Sequence, residues 1–242
     1  MGYQPDFGAV FANLDVILAG LVMTFVLAIA AMFSALILGL ILALMQMSTW
    51  RPLRTIGVAY VQLFRGTPLY IYLFWLYYSF ATVSGIRLTE LTAGIICLAT
   101  LYGAYLAEIN RGALRAIPST QSQAGLALGL SPWQNFRHVI LPQAVRIVIP
   151  PTTNMFAGVI MDTSLVSAIG VAELIRVTRV ASSETFRPFE MYTAAGLIYV
   201  VVVLGVSGLS AWLERRLSSR DRVALSGSRR LRRGILFGGL RS

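Results

Sequence analysis

Residues 14–47 read LDVILAGLVMTFVLAIAAMFSALILGLILALMQM, and this run decides the fold class. Asp15 is its only charged residue, and no other charge follows before Arg51. At about 1.5 Å per residue, a helix of this length exceeds the hydrocarbon core of a bilayer, which is roughly 30 Å thick. The run therefore predicts a first membrane-spanning helix that tilts or extends beyond the bilayer. Because the run is too long, and its leading segment too acidic, for a cleavable signal peptide, we expect the helix to be retained.

Outward from this run, four further apolar stretches predict an all-α integral membrane protein with five transmembrane helices. The second stretch is interrupted by Gly66-Thr67-Pro68, and the fourth begins at Pro150-Pro151. An odd number of spans excludes two equal inverted repeats within one chain, so we expect a complete pathway to need a second copy. The four stretches cover approximately residues 58–81, 91–109, 147–169 and 192–213.

The positions of the arginines predict the orientation of these helices. With the N-terminus outside the cell, sixteen of the 20 basic residues fall in segments inside the cell and four fall outside. The excess of positive charge on the inner side favours an outside N-terminus and a cytoplasmic C-terminus. This places residues 1–13 outside and a transmembrane domain at 14–217, which contains a cytoplasmic loop at 111–146. The basic tail, 218–242, is expected inside, beside anionic lipids of the membrane.

The composition excludes several kinds of chemistry. The chain is 57% hydrophobic and 12% charged, with a mean hydropathy of +0.73. It has no Lys, which a nucleotide-binding P-loop requires, so any ATP must be hydrolysed by another protein. One His and one Cys cannot supply the usual zinc site or a disulfide, and His138 lies in a basic loop with no implied substrate pocket. We therefore expect that the chain is not an enzyme and binds no cofactor. Because no aromatic residues alternate with the arginines, we also expect no nucleic-acid partner.

Short-range signals in the polar connection predict two short helices. Thr120 and Gln123 have the spacing of a capping box, which predicts a helix from about Gln121 to Leu128. Gly129 is placed to end that helix. Ser131 followed by Pro132 predicts the start of a second helix, and Pro142 is expected to close it. The resulting unit presents small and apolar side chains to a partner.

The spacing in this loop resembles the EAA loop of ABC importer permeases, which ends in an Ile-x-Leu-Pro segment. Gln stands here for the family's Glu, Gly for its second Ala, and Val for its Ile. The resemblance implies that Gln123, Ala124, Gly125, Leu128 and Gly129 couple the chain to an ATPase. The matching positions are Gln123, Ala124, Gly125, Gly129, Val139, Leu141 and Pro142.

Further segments resemble the polar amino acid branch of those permeases, over nearly the whole chain from residue 14 to residue 217. The resemblance implies the transmembrane domain of a type I ABC importer in a bacterial inner membrane, dimerised with an identical copy or a paralogue. Its implied partners are two ATPase subunits, a periplasmic or lipid-anchored solute-binding protein, and a small polar amino acid as substrate. The segments are FRGTPL (64–69), GAYLAEINRG (103–112), LGLS (128–131), LPQA (141–144), DTSLVS (162–167) and EL (173–174).

One stripe of the fourth helix predicts the substrate path. Asn154, Gly158 and Asp162 recur at helical spacing, and a charge at mid-membrane costs about 2.5 to 3.5 kcal/mol, so Asp162 is expected to face the bundle interior. We hypothesise that Asp162, with Thr67 and Ser164 nearby, receives a substrate ammonium or guanidinium. The alternative is an Asp that only bonds neighbouring helices.

Three arginine and glutamate positions have simpler interpretations. Glu108 and Arg111 have the spacing of a local ion pair, and Arg65 is expected to mark the inner membrane boundary.

Rival functions for the whole chain are a stand-alone channel or secondary transporter and a membrane scaffold without transport. Within the importer class, a compatible solute or an opine is the alternative substrate.

Overall fold

A computed structural model of the chain describes the backbone of residues 4–238 and the side chains of residues 4–216. Every regular element in this part of the chain is helical. A short helix α1 (Gly8–Ala12) leads into α2 (Leu14–Met47), whose bounds coincide with the predicted first span. Side chains of the predicted basic tail, 218–242, lie outside the described residues.

The second apolar stretch is not a single helix. It consists of α3 (Arg51–Arg65), α4 (Leu69–Phe74), a π-helical turn (Trp75–Ser79) and α5 (Phe80–Ser84). Pro68 has no backbone N–H and disfavours a helical conformation at Thr67, so the helix stops at Arg65 and restarts after the proline. The predicted stretch, 58–81, therefore starts too late, whereas its predicted interruption at Gly66-Thr67-Pro68 is confirmed.

The next helices are α6 (Glu90–Ala116), α7 (Ser119–Ala127) and α8 (Pro132–Asn135). A π-helical turn (Phe136–Ile140) joins α8 directly to α9 (Leu141–Val166), which ends in a 3₁₀ turn at Ser167–Ile169. They are followed by α10 (Leu174–Thr185) and α11 (Pro188–Gly238).

The prolines of α9 contradict two expectations. Pro142 lies in the first turn of α9 instead of closing the second loop helix, because the π-helical turn carries the helix past it. Pro150 and Pro151 lie inside α9 rather than at its start. The proline pair lies on the part of α9 that packs against α11. Ser210 Oγ on α11 donates to the Pro150 carbonyl at 3.3 Å.

Four helices in the described residues are long and apolar enough to span a bilayer, and α2 packs along α6 at their centre. Gly39 permits this contact, because a Cβ there would lie 2.7 Å from Leu106 Cβ and 3.0 Å from the Gly103 carbonyl oxygen. The shared core draws buried side chains from α2, α6, α9 and the interrupted segment. The four candidate spans are Leu14–Met47, Glu90–Ala116, Pro132–Ile169 and Pro188–Arg216.

Candidate functional site

A cavity of about 660 Å³ lies between α6, α9, α11 and the break at residues 66–68. Three of the four predicted path residues, Thr67, Asn154 and Asp162, line it together. The fourth, Ser164, lines a separate and mostly apolar groove with Tyr199. Irregular backbone at membrane depth is tolerated where it borders a cavity, and the break at Gly66-Thr67-Pro68 has that position.

Asp162 is held by a residue that sequence patterns did not single out. Its Oδ2 accepts a hydrogen bond from the Tyr102 hydroxyl at 2.8 Å. Gly158 makes room for that hydroxyl, because a Cβ at 158 would lie 2.9 Å from it. Within the described residues, no cationic side chain lies at ion-pair distance from Asp162. Asp162 is therefore a half-buried carboxylate on a cavity wall with one protein partner.

Arg65 lines the same cavity and connects it to the end of α6. Its guanidinium lies 5.5 Å from the ring centroid of Tyr105 and 3.8 Å from Glu108. Arg111 Nε donates to Glu108 Oε1 at 3.1 Å and its Nη2 donates to Oε2, which confirms the predicted local ion pair. The cavity thus has one carboxylate and one guanidinium among its lining groups.

The loop between α6 and α9 is folded, although its first helix starts differently from the prediction. Helix α7 begins at Ser119 after Pro118, and no side chain caps it, so the expected capping box of Thr120 and Gln123 is wrong. Pro118, with φ −59° and ψ 138°, is the non-helical residue that directly precedes the helix. Gly129 follows the helix with φ +83°, a conformation that favours glycine, as a helix-ending position requires.

The second loop helix starts as predicted. The Ser131 hydroxyl accepts a hydrogen bond from Gln134 N at 3.3 Å, and Ser131 N donates to Gln134 Oε1 at 2.9 Å, which completes a capping box. Pro132 occupies the first turn.

Gly125 has a structural position that its sequence context did not indicate. It is buried, and a Cβ there would lie 2.1 Å from Asn135 Oδ1. Asn135 Nδ2 donates to both the backbone oxygen and the hydroxyl oxygen of Ser122, each at 3.0 Å. Gly125 therefore lets α7 and α8 pack together. A partner protein would contact the exposed side chains near Gly125 and not Gly125 itself.

The remaining predicted coupling residues, Gln123, Ala124, Leu128 and Gly129, are all exposed. Leu128 is 83% exposed, and Leu126 and Trp133 beside it are exposed as well. Exposed apolar side chains grouped on a folded unit are typical of a surface that binds another protein. We call residues 119–135 the docking loop.

A second acidic side chain, Glu173, is fully buried at the start of α10. It accepts hydrogen bonds from Arg176 N at 2.8 Å and from the Tyr199 hydroxyl at 2.9 Å. Burial raises the pKa of Glu173, and these hydrogen bonds act in the opposite direction. Leu174 N donates to Thr24 Oγ1 at 3.2 Å, so this cluster also ties α10 to α2. Glu173 is the N-cap of α10, which its sequence did not indicate because Glu is not among the residues preferred at that position.

Several apolar helices of membrane-spanning length, a polar cavity between them and an exposed apolar docking loop define the membrane subunit of a transporter. The chain matches, over residues 35–219, the family described as binding-protein-dependent transport system inner membrane component, and it belongs to that family. The resemblance to ABC importer permeases is thereby confirmed. The chain is a transport subunit of the membrane and not an enzyme, and ATP hydrolysis belongs to a separate subunit.

Relatives of known name agree with this assignment. The chain is 37% identical to the probable amino-acid permease protein YxeN of Bacillus subtilis (strain 168), over 88% of this chain and 96% of that protein. It is 32% identical to the glutamine transport system permease protein GlnP of Escherichia coli (strain K12), over 88% and 98%. A solved amino acid ABC transporter crystallised with histidines superposes with a TM-score of 0.83 at 34% identity, covering 88% of this chain and all of that one.

Proposed function

We propose that this permease imports a polar amino acid across a bacterial inner membrane by alternating access. It works with a second permease, identical or paralogous, with two ATPase subunits and with a solute-binding protein on the outer side. The names of its relatives, which are amino-acid and glutamine permeases, support the substrate class. The arginine distribution supports five spans, an outside N-terminus and a cytoplasmic docking loop, with the interrupted segment α3 to α5 as the second span.

The cavity lined by both Asp162 and Arg65 is the observation that carries the proposal. A free amino acid is a zwitterion, and its ammonium group suits the Asp162 carboxylate while its carboxylate suits the Arg65 guanidinium. Thr67 and Asn154 supply neutral hydrogen-bonding groups in the same cavity. Its volume of about 660 Å³ lies within the range of small-molecule sites.

Asp162 is suited to exchange partners during transport. An intramembrane acid that only joins helices gains from as many donors as possible, because an unsatisfied charge is costly there. Asp162 has Tyr102 as its one hydrogen-bond partner among the described residues, so a substrate ammonium can bind without displacing a protein cation. Ser164 lies in the neighbouring groove and is not included in the proposed site.

The docking loop transmits the work of the ATPases. ATP closes the ATPase dimer, α7 moves with the surface that holds it, and the helices switch between inward- and outward-facing states. Substrate affinity changes only as far as the substrate contacts differ between those states. Because Asn135 fixes α7 to α8, and α8 continues into α9, a displacement of the docking loop reaches Asn154 and Asp162 through one continuous helical segment.

Uptake by the reconstituted complex with its ATPase and binding protein tests the substrate site. Asp162→Asn is expected to reduce uptake at least about tenfold, since a charge-assisted hydrogen bond to the ammonium is lost. Asp15→Asn, the same change at an exposed acid on α2, is the matched control and should stay within about twofold. Unchanged uptake by Asp162→Asn would contradict the proposed path.

Coupling is tested separately by measuring binding-protein-stimulated ATPase activity and uptake in the same preparation. Ala124→Asp places a charge on the exposed face of α7 and should lower binding-protein-stimulated ATPase activity and uptake together. Ser119→Asp adds the same charge at the first residue of α7, where a negative charge interacts favourably with the helix dipole. It serves as the control for effects of the added charge on folding. Normal ATPase stimulation and normal uptake in Ala124→Asp would rule out α7 as the contact.

A further inference from the structure

A second cavity, of about 430 Å³, lies where the end of α2 meets α3 and α6. It shares Arg65 with the substrate cavity but differs from it in composition, because four of its lining residues are arginines: Arg54, Arg65, Arg111 and Arg115. We call it the arginine pocket. Glu108 is the one acid that lines it.

The positive charge of the arginine pocket is only partly compensated. Glu108 receives both hydrogen bonds from Arg111 and lies 3.8 Å from Arg65, so two arginines share one carboxylate. Arg54 and Arg115 form no ion pair with any residue that the structure describes. The guanidinium groups of Arg54 on α3 and Arg115 on α6 therefore border one pocket, and neither is paired with a carboxylate among the described residues.

A buried amide adds a further donor to this pocket. Gln46 is 6% exposed and lines the pocket, and its side-chain amide interacts with the Glu108 carboxylate without the geometry of a direct hydrogen bond. Gly57 holds α3 tightly against the end of α2, because a Cβ at 57 would lie 2.9 Å from Met45 Cβ and 3.2 Å from Gln46 N. Because this amide makes no direct hydrogen bond, it can donate to an acceptor oxygen of a group bound in the pocket.

We propose that the arginine pocket binds a phosphate group, supplied either by the headgroup of an anionic phospholipid or by free phosphate. Arginine forks and an amide donor match a multiply charged group with several acceptor oxygens better than a single carboxylate. A lipid can reach the pocket, because α3 bears Arg54 on its pocket side and also exposes Ile56 and Leu63. Such a headgroup would brace α2, α3 and α6 beside the start of the docking loop, since Arg115 precedes it by a few residues.

Direct binding to the full chain in nanodiscs tests this site without any transport assay. Retention of phosphatidylglycerol against phosphatidylcholine is measured by native mass spectrometry, and binding of radiolabelled inorganic phosphate is measured in a parallel arm. The double variant Arg54→Gln with Arg115→Gln should weaken binding about tenfold or more. The control, Arg51→Gln with Arg137→Gln, removes the same charge from exposed arginines outside the pocket and should change binding less than about twofold.

Gln46→Leu provides a third variant that leaves the net charge intact. It should weaken binding several-fold while thermal stability in a phosphate-free, neutral lipid changes little, because the amide makes no direct hydrogen bond within the described residues. If the pocket variants lose binding only of phosphatidylglycerol, the result supports a lipid headgroup. If they lose binding only of inorganic phosphate, it supports free phosphate. Equal losses in the pocket and control doubles, or no binding of either ligand by the unmodified chain, would overturn the proposal. Because neither arm depends on uptake, that failure is separable from a failure of the proposed substrate site.

Discussion

Asp162 and Glu173 are two acidic side chains inside the helix bundle, and they differ in burial and in the number of hydrogen bonds they accept. Asp162 borders a cavity and accepts one hydrogen bond, from the Tyr102 hydroxyl. Glu173 is fully buried and accepts from a backbone N–H and from the Tyr199 hydroxyl. The number of protein donors separates an acid that can take a ligand from one that holds helices together.

The largest expected effect on folding comes from Glu173→Ala. It leaves the Arg176 N–H and the Tyr199 hydroxyl without an acceptor in a buried site and removes the N-cap of α10, so we expect a loss of about 2–4 kcal/mol. Thermal unfolding in detergent measures it. Asp162→Asn is the comparison and should cost less than about 1 kcal/mol, since an amide oxygen still accepts from Tyr102. Equal losses would remove the distinction between the two acids.

A methyl group added beside Asp162 should have the next largest effect. Gly158→Ala places its Cβ within 2.9 Å of the Tyr102 hydroxyl and forces that side chain away from Asp162, at a cost of about 1–3 kcal/mol. Uptake should fall together with stability, and the double variant Gly158→Ala with Tyr102→Phe should recover part of the stability. Gly196→Ala, at a site where a Cβ meets no atom within 4 Å, is the matched control. A stable and fully active Gly158→Ala would contradict the packing described here.

The smallest expected effects separate the two tyrosines. Tyr199→Phe removes a donor to a fully buried carboxylate, whereas Tyr102→Phe removes one from a carboxylate that borders the cavity. We expect Tyr199→Phe to cost about 1–2 kcal/mol and Tyr102→Phe about 1 kcal/mol or less. Chemical or thermal unfolding of the two variants side by side gives the order, and the reverse order would favour a structural role for Asp162.

The sequence predicted the elements whose signals are local. Helix α2 was correct at both ends, because its apolar run is unbroken and polar or turn residues flank it. The stripe of Asn154, Gly158 and Asp162 on α9 lies along one wall of the cavity, because helical spacing alone aligns them. The Ser131 cap was likewise encoded in four consecutive residues.

What the sequence could not predict depends on contacts between distant segments. Tyr102 lies on α6 and meets Asp162 only through packing against Gly158, so no local pattern indicates it. Gly125 was interpreted as a partner contact but is covered by Asn135 of the next helix. The prolines of α9 were interpreted as helix ends, whereas a π-helical turn continues the helix past Pro142, and Pro150 and Pro151 lie inside it.

Ligand binding to the solubilised permease–ATPase complex, without its solute-binding protein, tests the central claim most directly. Radiolabelled glutamine, histidine and arginine are each tested, and the tightest is displaced by its unlabelled form or by its N-acetyl derivative, which lacks the ammonium. The proposed role of Asp162 predicts that the N-acetyl derivative competes at least about tenfold more weakly with the unmodified chain, and that this difference largely disappears in Asp162→Asn. Equal competition by the two compounds in the unmodified chain, or an undiminished difference in Asp162→Asn, would contradict it.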